Sequence, residues 1–274
     1  MAALLLAAAL LPGWSQVRTG LDGGSVWAGR IPNRVVASDL RPSAVYLPPG
    51  FSAGRRYPVI YLLHGMRGDP SEYWDALDIA DVADGLISSG ESPPFIAVMP
   101  VGGPTVDPNG GEWAGEWEDY VVQDVVPWVD AHLPVIASAR DRALEGLSAG
   151  GFGAVDIGLR HPGLFGTLGS WDGYFAPVFD DGPFARASAA YLAAHTPALL
   201  VREEAAELRR DGTRFYVSFG GDHGDVLTSW SVDFAHEVRG LGLSVELWRL
   251  PAADRGHFWS STLPSALEYA GAGF

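Results

Sequence analysis

Short apolar runs alternate with longer amphipathic segments along the chain, and glycine-rich turns follow several of the runs. Short apolar runs between turn residues predict strands, whereas apolar positions three and four residues apart predict helices. The predicted strands are Ser43–Leu47, Pro58–Leu63, Phe95–Met99, Arg142–Leu147, Gly166–Trp171, Arg214–Phe219 and Ser244–Leu250. The predicted helices are Tyr73–Ile87, Trp117–His132, Ala149–Arg160, a pair within Phe184–Arg210, Leu227–Gly240 and Pro264–Ala270. This alternation favours an α/β fold with a mostly parallel central sheet and helices on both faces.

Two segments depart from simple βαβ units. The excursion Tyr174–Asp211 is long for a crossover and predicts a small helical cap over residues 174–211, with a plain surface excursion as the alternative. Ala2–Leu11 is an unbroken apolar run that is too short to span a bilayer as a helix. It is typical of the apolar part of a secretory signal, and the tail of a membrane segment or a buried terminal helix are the alternatives. We therefore predict a lead-in over residues 1–34, one α/β domain over residues 35–274, and an extracytoplasmic protein that is secreted or associated with the cell envelope.

Composition removes several classes of chemistry. The 274 residues carry a formal net charge of −15, include no cysteine, and have arginine at all 18 positions counted as lysine or arginine. The lack of cysteine excludes disulfides, cysteine nucleophiles and thiolate metal sites. The lack of lysine excludes the P-loop lysine and Schiff-base catalysis. The acidic balance argues against a nucleic-acid partner, which needs a basic surface.

The motif G-x-S-x-G occurs twice, and its surroundings separate the two copies. No predicted helix follows Ser52, so we interpret it as a turn residue. Ser148 lies between the predicted strand Arg142–Leu147 and the predicted helix Ala149–Arg160. Strand, sharp turn and helix form the nucleophile elbow, in which a strained turn lifts the serine oxygen into a pocket. Ser148 is therefore the predicted nucleophile, and a helix-capping serine is the alternative.

A nucleophilic serine needs a base, and the base needs an orienting carboxylate. In chain order these groups should follow as serine, acid and histidine. His257 falls in a predicted loop between the last strand and the last helix, which is the position expected for the base, and His223 is the second choice. Asp225, where the next helix begins, is the predicted acid ahead of Asp222, and Asp172 is a third candidate.

Backbone N–H groups must also stabilise the negative charge that develops on the substrate oxygen. Ala149, directly after the nucleophile, and Met66, in a glycine-flanked turn after an early strand, are the predicted donors. Arg67, Trp113 and Trp117 are candidate substrate-binding residues. The arginine suits an anionic group and the tryptophans suit an aryl or sugar ester; a solvated arginine and core tryptophans are the alternatives.

Several segments together resemble one branch of the α/β-hydrolases, which contains esterase D, the feruloyl esterases and the mycolyltransferases. The segments are Val45–Phe51, Tyr57-Pro58, Tyr61–Gly65 and Gly146–Gly151, with Pro100–Gly103, Trp117–Tyr120 and Met66-Arg67 similar to the mycolyltransferases in particular. The resemblance covers about residues 35–270. It implies an α/β-hydrolase fold, with Ser148 as nucleophile, His257 as base, Asp225 as acid, and Met66 and Ala149 as oxyanion donors. The turn before Asp225 and the turn before His257 are both longer than the family pattern.

Three functions follow from these residues. The first is a serine carboxylester hydrolase that works through an acyl-enzyme without a metal or cofactor. The second is an acyltransferase that passes the acyl group to a sugar or lipid alcohol, and the third is a non-catalytic binding module on the same scaffold. The expected partner is a small-molecule, glycan or lipid ester, with no nucleic acid and no stable membrane span. The sequence leaves the two halves of the ester and the oligomeric state open.

Overall fold

A nine-stranded sheet forms the centre of the protein in a computed structural model that describes residues 7–36, 42–66, 68–102, 113–177, 184–220, 226–250 and 255–274. The strands are β1 (Ser15–Thr19), β2 (Ser25–Gly29), β3 (Ser43–Leu47), β4 (Val59–Leu63), β5 (Ile96–Met99), β6 (Arg142–Leu147), β7 (Thr167–Trp171), β8 (Arg214–Gly220) and β9 (Ser244–Leu250). Their order across the sheet is β1-β2-β3-β5-β4-β6-β7-β8-β9. The strands from β4 to β9 pair in parallel, whereas β1, β2 and β3 pair antiparallel. The predicted α/β fold with a mostly parallel sheet is confirmed.

Helices cover both faces of this sheet. They are α1 (Ile79–Ser89), α2 (Glu116–Asp119), α3 (Val126–His132), α4 (Ala149–Arg160), α5 (Ala189–Ala194), α6 (Pro197–Glu203), α7 (Ala205–Asp211), α8 (Val226–Gly240) and α9 (Arg255–Gly271). Two π-helical stretches, Glu72–Ala76 and Tyr120–Val125, lie before α1 and between α2 and α3. The apolar side chains of α1 and α9 pack on one face, and those of α3, α4, α6 and α8 pack on the other.

Every predicted strand is present, but the pattern missed β1 and β2. The side chains of β1 alternate between exposed and half-buried positions, so this strand lacks the apolar run that identified the buried strands. Paired as a hairpin, β1 and β2 extend the sheet beyond β3. They precede residue 35, the predicted start of the α/β domain, and that boundary stays a prediction.

The predicted helix Tyr73–Ile87 is divided, because Asp78 has left-handed backbone angles (φ 56°) between the π-helical stretch and α1. The last helix was wrongly predicted to begin at Pro264, a residue favoured in the first turn of a helix. Pro264 instead lies inside α9, which begins at Arg255. Burial of Phe258, which is 1% exposed, anchors the earlier turn of this helix to the core.

The segment predicted as a cap divides into two parts by its packing. Leu200, Val201 and Leu208 of α6 and α7 belong to the same core cluster as Val155 of α4, so these helices are part of the layer on the sheet. Phe184, just before α5, packs instead with residues that surround Ser148, as described below. The cap over the site stays a prediction for the part of the chain around α5.

The hairpin that joins β1 and β2 is tied to α1 by a buried carboxylate. Asp84 accepts hydrogen bonds from the N–H groups of Asp22 (2.9 Å) and Gly24 (3.0 Å) and from the Tyr46 hydroxyl (2.8 Å). Ala7 and Leu11 of the apolar N-terminal run are also buried, at 2% and 1% exposure, against the main core. Across the described ranges, none of the helices combines the length and the apolar character needed to cross a membrane.

Candidate active site

Ser148 lies in a strained turn between β6 and α4. Its backbone angles are φ 55° and ψ −119°, a combination that a residue with a side chain rarely adopts. Its N–H donates to the Trp171 carbonyl of the neighbouring strand (2.8 Å), and its own carbonyl accepts from Phe152 in α4 (3.1 Å). The side chain is half-buried. The predicted sequence of strand, sharp turn and helix around Ser148 is therefore present.

Two glycines permit this turn because helix and strand backbones touch there. A Cβ at Gly146 would lie 2.5 Å from the carbonyl of Gly150, and a Cβ at Gly150 would collide with the Leu63 carbonyl at the end of β4. The other copy of the motif has a different setting. Ser52 is exposed and its hydroxyl accepts a bond from the Gly54 N–H (3.3 Å), which fits the predicted turn residue.

The glycine-flanked turn after β4 lies directly against the elbow. A Cβ at Gly65 would be 3.4 Å from the Cβ of Ser148, so the two segments are in contact. The turn is closed by a bond from the Gly68 N–H to the Gly65 carbonyl (3.0 Å). Met66 packs with a small apolar cluster around Ala149, which consists of Ala114, Ala149, Phe152, Tyr174 and Phe184. Ala149 is the first residue of α4, so its N–H belongs to the helix end that has no intrahelical acceptor.

His64 fixes this turn from inside the core, a role that sequence reasoning did not assign to it. Its Nδ1 lies 2.9 Å from the Gly65 carbonyl, and its Nε2 accepts from the Gly102 N–H (3.2 Å). This pair of bonds requires the neutral ring with its proton on Nδ1. Complete burial agrees, because it lowers the pKa of His64 to about 4 despite the opposing bond to Gly65.

The predicted base lies in a helix, not in the predicted loop. His257 belongs to the first turn of α9, its side chain is exposed, and its carbonyl accepts from the hydroxyls of Ser260 (3.1 Å) and Ser261 (2.8 Å). The next residue, Phe258, packs on Gly220, where a Cβ would lie 2.7 Å from the ring. Since Gly220 ends β8, this contact holds the start of α9 beside the strand that leads into the predicted acid turn.

Several predicted residues fall outside the described part of the chain. These are Arg67, Asp222, His223 and Asp225. The third candidate acid, Asp172, is described: it follows β7 with a left-handed backbone (φ 52°), and its N–H donates to the Ser218 carbonyl (2.8 Å).

Trp113 and Trp117 are core residues, which corrects their prediction as a substrate wall. Trp113 has no exposed surface and Trp117 is 4% exposed. The Trp113 indole N–H donates to the His64 carbonyl (3.0 Å), and its ring fills the space that Gly102 and Gly153 leave open. Enclosed on all sides, the Trp113 ring supports the turn after β4 instead of contacting a substrate.

A second group of buried ionisable residues lies farther along α4. The ligand atoms of Glu118, Asp156 and His195 all lie within 4.8 Å of one another. His195 is 1% exposed, and its Nδ1 lies 2.7 Å from Asp156. Asp156 is eight residues after Ser148, or about 12 Å along the helix axis, so this cluster is separate from the elbow.

The charges in this cluster already compensate one another. Burial raises the pKa of Asp156 to about 6, against the bond from His195. Burial also opposes ionisation of Glu118, but bonds from His161 and Arg160 outweigh it and hold the pKa of Glu118 below its usual range. Arg160 donates to Glu118 (2.8 Å) and to the Ala194 carbonyl (2.7 Å), and thereby fastens the end of α5 to α4.

Two more carboxyl groups near the site have raised pKa values: Glu72 is half-buried and Glu145 is fully buried. Burial raises the pKa of Glu72, behind the turn after β4, to about 7. Burial raises the pKa of Glu145, on β6 three residues before Ser148, to about 8. Nothing in the local sequence marks either residue, because the burial of an acidic residue depends on its neighbours in space.

Comparison with known proteins agrees with this arrangement. A xylanase and feruloyl esterase of Xylanibacter ruminicola is 35% identical over 144 residues, which are 49% of this chain and 20% of that protein. A diacylglycerol acyltransferase/mycolyltransferase, Ag85B of Mycolicibacterium smegmatis, is 29% identical over 206 residues, 67% of this chain and 58% of that protein. The matched part of this chain thus covers between a fifth and less than two thirds of the length of these relatives. A solved ferulic acid esterase superposes with a TM-score of 0.80 at 23% identity, covering 92% of this chain and 99% of that one, and so shares the fold.

The family model described as "Putative esterase" matches residues 39–242, which include the turn after β4, the nucleophile elbow and the predicted acid. This match covers more than half of the chain. The protein therefore belongs to this esterase family and has its α/β-hydrolase fold.

Proposed function

We propose that the protein is a serine carboxylester hydrolase that works through an acyl-enzyme. The observation that carries this proposal is the strained Ser148 turn in contact with the glycine-flanked turn after β4. A serine on such a turn presents its oxygen beside two sets of backbone N–H groups, as acyl transfer requires. Membership of the esterase family supports the same reaction.

In the proposed mechanism, the Ser148 oxygen attacks the ester carbonyl carbon while His257 takes the hydroxyl proton. The N–H groups of Met66 and Ala149 stabilise the negative oxygen of the tetrahedral intermediate. The bond to the alcohol then breaks, and the His257 imidazolium gives its proton to the leaving oxygen. A water molecule then attacks the carbonyl carbon of the acyl-enzyme while His257 takes one of its protons. His257 returns this proton to the Ser148 oxygen as the acid leaves. Asp225 holds the imidazole in the required tautomer.

Active-site labelling tests this proposal, and the second copy of the motif provides a matched control. A fluorophosphonate should form one adduct on Ser148, which peptide mass mapping would locate. Ser148→Ala should abolish the adduct and lower ester turnover at least several hundred-fold, whereas Ser52→Ala should change neither. An unlabelled but folded wild-type protein would favour the non-catalytic binding module instead.

We propose an aryl or sugar ester as the substrate class, since the relative from Xylanibacter ruminicola carries a feruloyl esterase. Methyl ferulate should then be hydrolysed with a higher kcat/KM than methyl acetate.

We also infer an extracytoplasmic location, supported by the apolar run Ala2–Leu11. Cell fractionation with an antibody against the folded protein tests it: recovery from the cytosol alone would contradict the inference.

The second candidate function is acyl transfer to a sugar or lipid alcohol. The similarity to a mycolyltransferase over 67% of this chain favours it. Because both functions share the acyl-enzyme, labelling of Ser148 does not separate them. Product analysis in the presence of a sugar or of glycerol does: new ester would support transfer, and free acid alone at saturating acceptor would contradict it.

A further inference from the structure

The carboxyl group of Glu72 fills the space behind the turn that carries Met66. A Cβ at Gly68 would lie 2.5 to 2.6 Å from the carboxyl atoms of Glu72, so the turn and the carboxyl are in direct contact. The Gly65 N–H donates to this carboxyl. The second oxygen, Oε2, is buried and has no hydrogen-bond partner. One side chain therefore supports both glycines that flank Met66.

The surroundings of Glu72 disfavour a negative charge on its carboxyl group. Burial is the largest effect, the Gly65 N–H opposes it, and the nearby Asp69 adds repulsion; together they raise the pKa of Glu72 to about 7. Tyr73, the next residue, is buried and donates its hydroxyl to the Leu63 carbonyl (2.9 Å) instead of to Glu72. Arg67, the cation of this turn, lies outside the described residues.

We propose that Glu72 is a positioning residue for ester turnover: its neutral carboxyl holds the turn that carries Met66, and its ionisation slows the reaction. This inference rests on the proposed function, in which the Met66 N–H binds the oxyanion. The Gly65 N–H that bonds Glu72 precedes the Met66 N–H by one peptide unit. The charge of an ionised Glu72 would consequently lie within about 9 Å of the developing oxyanion.

The sign of the effect follows from this placement. Below the pKa of Glu72 the group is neutral, accepts the Gly65 N–H through one oxygen, and adds no charge beside the oxyanion. Above that pKa, an ionised carboxylate repels the oxyanion, which at this separation in a partly buried site slows turnover about tenfold. The rate should therefore fall as the pH rises through the pKa of Glu72.

The experiment compares the pH dependence of kcat/KM for p-nitrophenyl acetate in four proteins: wild type, Glu72→Gln, Glu72→Ala and the exposed control Glu91→Gln. Glutamine keeps the acceptor for the Gly65 N–H but never carries a charge. We expect Glu72→Gln to match wild type within about twofold near pH 6 and to lack the decline at higher pH. We expect Glu72→Ala to be at least about tenfold slower at every pH, because the turn loses its support.

Two results would overturn the proposal. One is a Glu72→Gln profile that declines at high pH as the wild-type profile does. The other is a Glu72→Ala rate equal to wild type. Fluorophosphonate labelling of Ser148 in each variant separates this failure from that of the proposed function. If Ser148 is labelled while the profiles coincide, the role of Glu72 is refuted and the serine mechanism stands.

Discussion

Replacing Glu145 by glutamine should change how the stability of the protein depends on pH. Glu145 is fully buried in β6, and its Oε2 accepts a bond from the Trp171 indole N–H (3.1 Å), while its Oε1 has no hydrogen-bond partner. Burial raises its pKa to about 8, against the Trp171 bond and the more distant Arg214. In the folded protein the group is therefore neutral at pH values where it is ionised in the unfolded chain.

This difference has a definite sign and size. Between the ordinary value of 4.5 and about 8, the folded state keeps a proton that the unfolded state has released. The free energy of unfolding contributed by Glu145 therefore falls as pH rises, by up to about 1.4 kcal/mol per pH unit. Glutamine does not titrate, so its contribution stays constant. From about pH 5.5 to 7.5, Glu145→Gln should gain about 3 kcal/mol relative to wild type.

Urea unfolding at constant ionic strength measures this effect. The quantity to plot is the unfolding free energy of Glu145→Gln minus that of wild type, since subtraction removes the titration of every other group. The glutamine N–H₂ placed at the unpartnered oxygen adds a constant cost, which leaves the slope unchanged. The exposed Glu91→Gln should give a flat difference. A flat line for Glu145→Gln over the same range would refute the reasoning.

Three further substitutions have expected effects on stability. Gly150→Ala should destabilise the fold by about 3 kcal/mol or more and abolish Ser148 labelling, because its methyl group would meet the Leu63 carbonyl. Gly85→Ala, in α1 with nothing within 4 Å, should instead stabilise it by about 0.5 to 1 kcal/mol. Asp84→Ala should cost about 3 kcal/mol, since two N–H groups and a hydroxyl lose their acceptor. Chemical denaturation of each variant measures these changes, and the opposite sign for either glycine would contradict the contact geometry.

The sequence identified the features that depend on local pattern. Strands β3 and β4 are buried along their whole length, so continuous apolar runs predicted both of them. The elbow at Ser148 could be predicted because a serine with small residues on both sides, directly after a strand, is typical of this sharp turn. In contrast, β1 alternates in exposure and depends on its partner β2 for its conformation.

Features that depend on contacts between distant segments could not be predicted from the sequence. Trp113 follows a glycine-rich stretch typical of a pocket rim, yet its ring is buried in the space that the missing side chain of Gly153 leaves open. His195 lies in an amphipathic pattern, but its partner Asp156 is 39 residues away. Nothing local distinguishes Glu72 from an exposed glutamate, since its burial comes from the fold of the turn before it.

The hairpin of β1 and β2 also covers an edge of the sheet, because β2 pairs with β3. Strand β3 is buried at every position, and one of its two edges is paired with β2. A chain that began at residue 35 would leave that edge unpaired, with a row of apolar residues and free backbone N–H and C=O groups. Such an edge is a template for strand addition by another molecule, so the shortened chain would aggregate. The alternating exposure of β1 instead ends this side of the sheet with a strand that water can solvate.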